Sequence, residues 1–338
     1  MTKRMLRAVL VAAALLLLAA VVRMYDGYRT FERVPLRVSA PTSIEVARGS
    51  TLKTIVALLR ARHYTSAAEP YWRLLAARMG VTDHLHAGEY ALLPGMTPSV
   101  LLANMSAGRV VQHMFTLVDG WTFAQVRAAL ARAPRLRHTL AGMSDAQVAI
   151  ALGIRGPSPE GWLLPQTYAY VLGQSDIDVL RRAYLAMKRL LAREWPSRER
   201  DLPLKSPYQA LVLASLIEKE TAQPDERARI AGVFVRRLER GMKLQTDPSV
   251  IYGLGANYRG EITRRDLQTD TPWNTYTRFG LPPTPLCIPG APAVEAALHP
   301  AQGRSLYFVA KGDGTHQFSD TLRQQDAAID RYILHRKP

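Results

Sequence analysis

The chain has 338 residues, 48% of them hydrophobic, enough for two modest domains with real cores. Lys and Arg total 44 against 28 Asp and Glu, and the net charge of +16 favours anionic partners. Scattered basic residues without an interleaved aromatic patch argue against nucleic acid, and the single cysteine, Cys287, excludes an intramolecular disulfide or a Cys-based metal cluster.

Met5 to Val22 is apolar apart from Arg7, with Lys3, Arg4 and Arg7 at its start. The run is slightly short of the roughly 20 residues that cross a bilayer, but Arg7 and Arg23 can snorkel at its ends. A retained anchor fits better than a cleaved signal peptide, because Val21, Val22 and Arg23 make a poor small-x-small exit. The positive-inside rule then leaves the N-terminus in the cytoplasm and the rest of a single-pass protein on the far side.

Residues 24 to about 40 read as a juxtamembrane linker. Ser43 to Val46 alternates as a strand, and Leu52, Ile55 and Leu59 fall at helical spacing. A second helix is predicted over Pro70 to Met79, with Pro in its first turn. Gly88 to Leu93 reads as a strand and Thr97 to Met105 as a short helix begun by a Thr cap. Together these make a small α+β module.

Met114 to Val118 suggests another strand. Thr122 can cap a helix with Phe123, Val126 and Leu130 inside. Ile177, Leu180, Tyr184, Met187 and Leu191 mark one face of an amphipathic helix. Residues 196 to 206 form a polar loop. The apolar strand within Gly303 to Ala310 precedes a Gly-Asp-Gly turn at Gly312 to Gly314.

Pro207 opens a helix that reaches about Thr221, apolar all round from Ala210 to Ile217 except at Ser215. A carboxyl group at its end, Glu218, is costly to ionise and suits a general acid. The alternative for Glu218 is a buried ion pair with an arginine. No arginine is expected in direct contact, since a guanidinium would oppose the rise in proton affinity. Glu220 cannot share a face with Glu218 and is expected to point outward or to pair with Lys219, Arg227 or Arg229. A further helix starts near Asp225 and ends at Gly241, a natural C-cap.

The polar run Leu244 to Pro248 either stabilises its own loop or lines a cleft for a hydroxyl-rich ligand. Gln245, Thr246, Asp247, Tyr252, Asn274 and Tyr276 are the candidates for that wall. His84 and His86 lack a third partner for zinc, so no metal is expected. G-x-S-x-G, P-loop and dinucleotide fingerprints are absent from the sequence.

Several segments together resemble the MltG (YceG-like) family of endolytic murein transglycosylases. They are ASLIEKET at Ala214–Thr221, ERARIAGVFVRRLERGMKLQTDPSVIYG at Glu226–Gly253 and NTYTRFGLPPTPLCIPG at Asn274–Gly290. PEGWLLPQTY at Pro159–Tyr168, YFVAKGDGTHQFS at Tyr307–Ser319 and AGEYALLPGMTPSVLLANMSAG at Ala87–Gly108 add to them. The resemblance implies an α+β protein: a tail and transmembrane anchor over residues 1–23, a linker over 24–40, a LysM-like module over 41–109 and a catalytic domain over 110–338.

It further implies that Glu218 is the catalytic acid/base and that no cofactor is needed. The substrate would be peptidoglycan glycan strands, cut internally between N-acetylmuramic acid and N-acetylglucosamine at the periplasmic face of the inner membrane, in association with peptidoglycan synthases. Gln166, Asp119, Gln325 and Asp326 depart from the family pattern. A muramidase-type hydrolase using the same Glu218 and a non-catalytic glycan-binding scaffold are the competing functions.

Overall fold

Helix α1 runs unbroken from Lys3 to Arg33 in the computed structural model, which describes residues 3–334. Met1, Thr2 and residues 335–338, the ends of the expected tail and catalytic domain, lie outside the described residues. Leu10–Arg33 is long and apolar enough to cross a membrane. The expected linker is helical as far as Arg33. Tyr28 and Phe31 in that helix, and Leu36 and Val38 beyond it, are buried in the core of the first unit. Aromatic side chains at helical spacing with a packing partner hold the helix where composition alone suggested a tether. Phe31 meets Trp72 edge to face, with ring centroids 5.2 Å apart.

The chain divides into two compact units, Met1–His113 and Met114–Pro338. After α1, the first contains β1 (Thr42–Val46), α2 (Leu52–Ala61), α3 (Glu69–Arg78), β2 (Gly88–Leu92) and α4 (Pro98–Ser106). β1 and β2 pair antiparallel, with Ile44 opposite Tyr90. Both side chains face the helices, and Tyr90, Leu92, Leu59, Trp72, Leu101 and Leu102 are fully enclosed. Thr51 and Thr97 cap α2 and α4, each accepting a backbone N–H from three residues on.

In the second unit β3 (His113–Thr116) pairs with β4 (Thr167–Tyr170), and α5 (Phe123–Leu130) and α6 (Asp145–Leu152) lie between them in sequence. Thr122 and Ser144 form capping boxes with Gln125 and Gln147. α7 (Asp176–Glu194) follows, its first half in the core of α5 and α6 and its second half in the core of α8 (Pro207–Glu220) and α9 (Pro224–Glu239). Next come α10 (Asp247–Leu254), α11 (Arg264–Gln268) and α12 (Ala291–Leu298). β5 (Tyr307–Ala310) and β6 (His316–Ser319) form an antiparallel hairpin, and α13 (Leu322–Tyr332) packs on it.

α8 is the axis of this unit. Every residue from Ala210 to Ile217 is buried, as a helix apolar on all sides requires. α12 lies against it, and small side chains at Ala293, Ala296 and Ala297 let the two helices approach closely.

Candidate active site

Glu218 stands in the last turn of α8 with its side chain only 7% exposed. Three segments close around it. Ser215, one turn earlier, accepts the Leu286 N–H through its hydroxyl at 3.0 Å, which ties residues 286–290 to α8. Gly120 N–H then donates to Ile288 O at 2.9 Å and Ile288 N–H to Trp121 O at 2.8 Å, clipping the loop before α5 onto the same segment. The result sets Asp119 and Gly290, the N-cap of α12, beside the Glu218 carboxyl.

Gly290 N–H donates to Glu218 Oε2 at 3.0 Å. Burial holds the Glu218 carboxyl above the usual range. The Gly290 N–H opposes that rise, Asp119 reinforces it, and Arg227 and Lys219 oppose it. Desolvation outweighs both the cations and the N-terminus of α12. An arginine does approach, against expectation: Arg227 Nη2 lies 3.9 Å from Glu218 Oε1. That separation is beyond hydrogen-bond reach and involves one nitrogen, so the group is neither bidentate nor firmly paired.

Glu220 corrects the outward placement expected for it. Its hydroxyl partner is Thr246, which donates to Oε1. The residue keeps some exposed surface, but its carboxyl is enclosed, and burial pushes its pKa up to about 7. The last turn of α8 aims one carboxylate at Gly290 and the other at the loop before α10, and Lys219 between them takes the exposed direction.

That loop gathers four of the candidate wall residues. Gln245 adopts a left-handed φ of 54 and its side chain accepts from Arg237 Nη1 at 3.2 Å. Thr246 is 1% exposed and stands at the N-cap position of α10, but its side chain makes no capping hydrogen bond there. Asp247 opens α10, where an acidic residue suits the helix N-terminus, and accepts from the Tyr276 hydroxyl at 2.5 Å. Buried Arg237 braces the run, donating to Lys243 O at 3.0 Å and Leu244 O at 2.9 Å.

The other two candidates are placed differently. The Tyr252 hydroxyl donates to Glu160 Oε2 at 3.2 Å, and its ring meets Trp273 edge to face. Asn274 is 1% exposed and gives its amide hydrogens to Asp266 O, Leu267 O and Thr269 O, while its oxygen accepts Tyr276 N–H. Its side chain is thereby spent on the loop.

Glu160, not singled out from sequence, is buried. It accepts Phe123 N–H at 3.0 and 3.1 Å together with the Tyr252 hydroxyl. Burial raises its pKa to about 7 against those hydrogen bonds. Asp119 and Arg227 were likewise not singled out as site residues. Arg227 falls within a segment shared with the family and Asp119 at a position that departs from its pattern; nothing in local periodicity links either to Glu218. Among the described residues no group of three or more His, Cys, Asp or Glu is placed to hold a metal ion.

Comparison with known proteins adds the following. The sequence model of the YceG-like family matches residues 44–331. An endolytic murein transglycosylase of Bacillus subtilis (strain 168) is 28% identical over 324 residues, covering 91% of this chain and 89% of that protein. An endolytic murein transglycosylase of Streptococcus pneumoniae (strain D39) is 33% identical over 180 residues, 52% of this chain and 32% of that longer protein. A crystal structure of a YceG-like protein from Listeria monocytogenes superposes with a TM-score of 0.55 at 28% identity, covering 86% of this chain and 99% of that one.

Proposed function

Because the chain belongs to the YceG-like family, we propose that it is a lytic transglycosylase that cuts peptidoglycan glycan strands internally, with Glu218 as general acid and base. The observation that carries this reading is the Glu218 carboxyl: almost wholly enclosed, held by one N–H, and raised in proton affinity by burial. The names of the Bacillus and Streptococcus relatives support the reaction class.

Protonated Glu218 gives its proton to the oxygen that links N-acetylmuramic acid to N-acetylglucosamine. The C1–O electron pair leaves with that oxygen, and the muramyl ring passes through an oxocarbenium-like state. The muramyl C6 hydroxyl closes on C1 and returns its proton to the Glu218 carboxylate. The product ends in 1,6-anhydro-N-acetylmuramic acid. An internal nucleophile needs no activated water, since proximity replaces it. Gln245, Asp247, Tyr252 and Tyr276 are the proposed wall of the glycan cleft, with Thr246, 1% exposed and bonded to Glu220, beneath it. Asn274 supports that wall from behind.

The apolar stretch of α1 serves in this reading as a single-pass inner-membrane anchor with a cytoplasmic N-terminus. The first unit is then a LysM-like glycan-binding module, and the second unit works in the periplasm. Asp119 beside Glu218 keeps a hydrolytic reading in play, because a second carboxylate is what a water-using glycosidase requires.

Digestion of uncrosslinked glycan strands by the parent and Glu218→Gln, with products identified by mass, decides among these. Anhydro ends from the parent and none from the variant are expected. Reducing ends would establish the hydrolase. Equal cleavage by both proteins would remove Glu218 from the chemistry.

A further inference from the structure

We propose that Arg227 is a positioning residue that takes up the negative charge of Glu218 when that group gives away its proton. This rests on the reading of Glu218 as the general acid. Arg227 projects from the first half of α9 with its side chain 15% exposed. Its Nε is buried and has no hydrogen-bond partner. The adjacent acid cannot satisfy it: Glu226 is committed to His316, accepting the backbone N–H at 2.9 Å and lying 2.7 Å from the ring Nδ1. Elsewhere on the same guanidinium, Nη2 lies 3.9 Å from Glu218 Oε1.

The two oxygens of Glu218 are not equivalent. Oε2 already accepts Gly290 N–H, so Oε1, the atom facing Arg227, is the one left to carry the acid proton. While Oε1 carries that proton, it and the guanidinium are both donors and do not pair. Loss of the proton turns Oε1 into an acceptor. Charge-assisted N–H···O contacts run to about 2.8 Å, so roughly 1 Å of side-chain motion completes the pair. Arg227 has no hydrogen bond within the described residues to break in making that move. The contact is therefore weak before proton transfer and strong after it, which lowers a barrier rather than merely tightening binding.

The other charged groups facing Glu218 do not duplicate the role. Asp119, on the loop before α5, is an anion. Lys219, on α8 itself, is exposed and screened by water.

The test uses the full chain in detergent acting on uncrosslinked glycan strands, with kcat and KM measured across pH for the parent, Arg227→Met, Arg227→Gln and Arg227→Lys. Both neutral variants are expected to lose about 100-fold in kcat with KM unchanged within twofold. Their high-pH limb should move to higher pH, because a cation that favoured the carboxylate is gone. Lys should recover part of kcat and return the limb toward that of the parent. A rise in KM at constant kcat would make Arg227 a substrate anchor and overturn the proposal. A fall in kcat with an unmoved limb would reduce it to a structural residue. Glu218→Gln run alongside separates the two levels. If it cleaves like the parent, the acid assignment fails first; if it is inactive and the limb stays fixed in the Arg227 variants, only the present proposal fails.

Discussion

Gly290 and Glu218 are joined by a single backbone N–H at 3.0 Å, and a side chain at position 290 would push on both neighbouring carboxyl groups. A Cβ there would lie 2.8 Å from Asp119 Oδ1 and 3.4 Å from Glu218 Oε2. The φ of −70 is one that any residue adopts, so glycine is needed for closeness and not for backbone conformation. Gly290→Ala is expected to keep the melting temperature of the parent while losing at least about tenfold in cleavage rate, as small misplacements of reacting groups do. Parental activity in the alanine variant would mean that the two carboxyl groups have room to spare.

The raised proton affinity of Glu218 fixes the direction of the pH profile. The active form carries the proton, so activity is present below the folded-state pKa and is lost as pH rises through it. The high-pH limb should therefore lie above the ordinary carboxylate value of 4.5. Asp119→Asn removes a neighbouring anion and should move that limb to lower pH, opposite to the neutral Arg227 variants. Initial rates of strand digestion from pH 4 to 9 measure it. A limb that stays put would show that Asp119 does not act on Glu218.

Glu160 links pH to stability. Its pKa rises from 4.5 to about 7 on folding because burial penalises the charge. The folded chain thus holds that proton more tightly than the unfolded chain. The resulting stabilisation is complete below the unfolded value and is lost as pH climbs through about 7. A rise from 4.5 to about 7 corresponds to roughly 3 kcal/mol. Glu160→Gln keeps an oxygen for Phe123 N–H and the Tyr252 hydroxyl but does not titrate. Between pH 5 and 8 the parent should lose up to about 3 kcal/mol more than this variant in thermal or denaturant unfolding. Parallel losses would place the Glu160 carboxylate in a better-solvated setting.

Gln245 carries backbone strain at the edge of the proposed cleft. Its φ of 54 suits glycine. Gln245→Gly and Gln245→Ala both remove the side-chain oxygen that Arg237 binds, so comparing them isolates the backbone. The glycine variant should be more stable than the alanine variant by about 1 kcal/mol. Equal stabilities would mean that the loop relaxes once Arg237 is released.

Much of the scaffold was legible because it is local. Thr97 and Thr122 announce α4 and α5 by their caps, and the apolar run Ala210 to Ile217 announces a helix with no wet side. That same run misled at Glu220. The spacing rule correctly separates Glu218 from Glu220, but both carboxyls meet protein and the exposed direction of the last turn belongs to Lys219. The polarity of Thr246-Asp247-Pro248 suggests a loop, but Asp and Pro in the first turn are the marks of a helix start, and α10 begins at Asp247. The neighbours of Glu218 were not readable by any local rule. Gly290 is 72 residues away in sequence, and Asp119 arrives only because two backbone hydrogen bonds clip its loop to Ile288 and its neighbours. Asn274 looked like a ligand-facing amide; three carbonyls around its nitrogen turn it inward.

The unbroken course of α1 has a mechanical consequence. Thirty-one residues at 1.5 Å each make a rod of roughly 46 Å. Its far end is bolted into the first unit by Tyr28 and Phe31, so with its apolar length in a bilayer no slack joint separates lipid from protein. In the proposed single-pass arrangement any tilt or spin of the rod becomes a tilt or spin of that unit, whose reach above the membrane would be set by helix geometry and not by chain entropy.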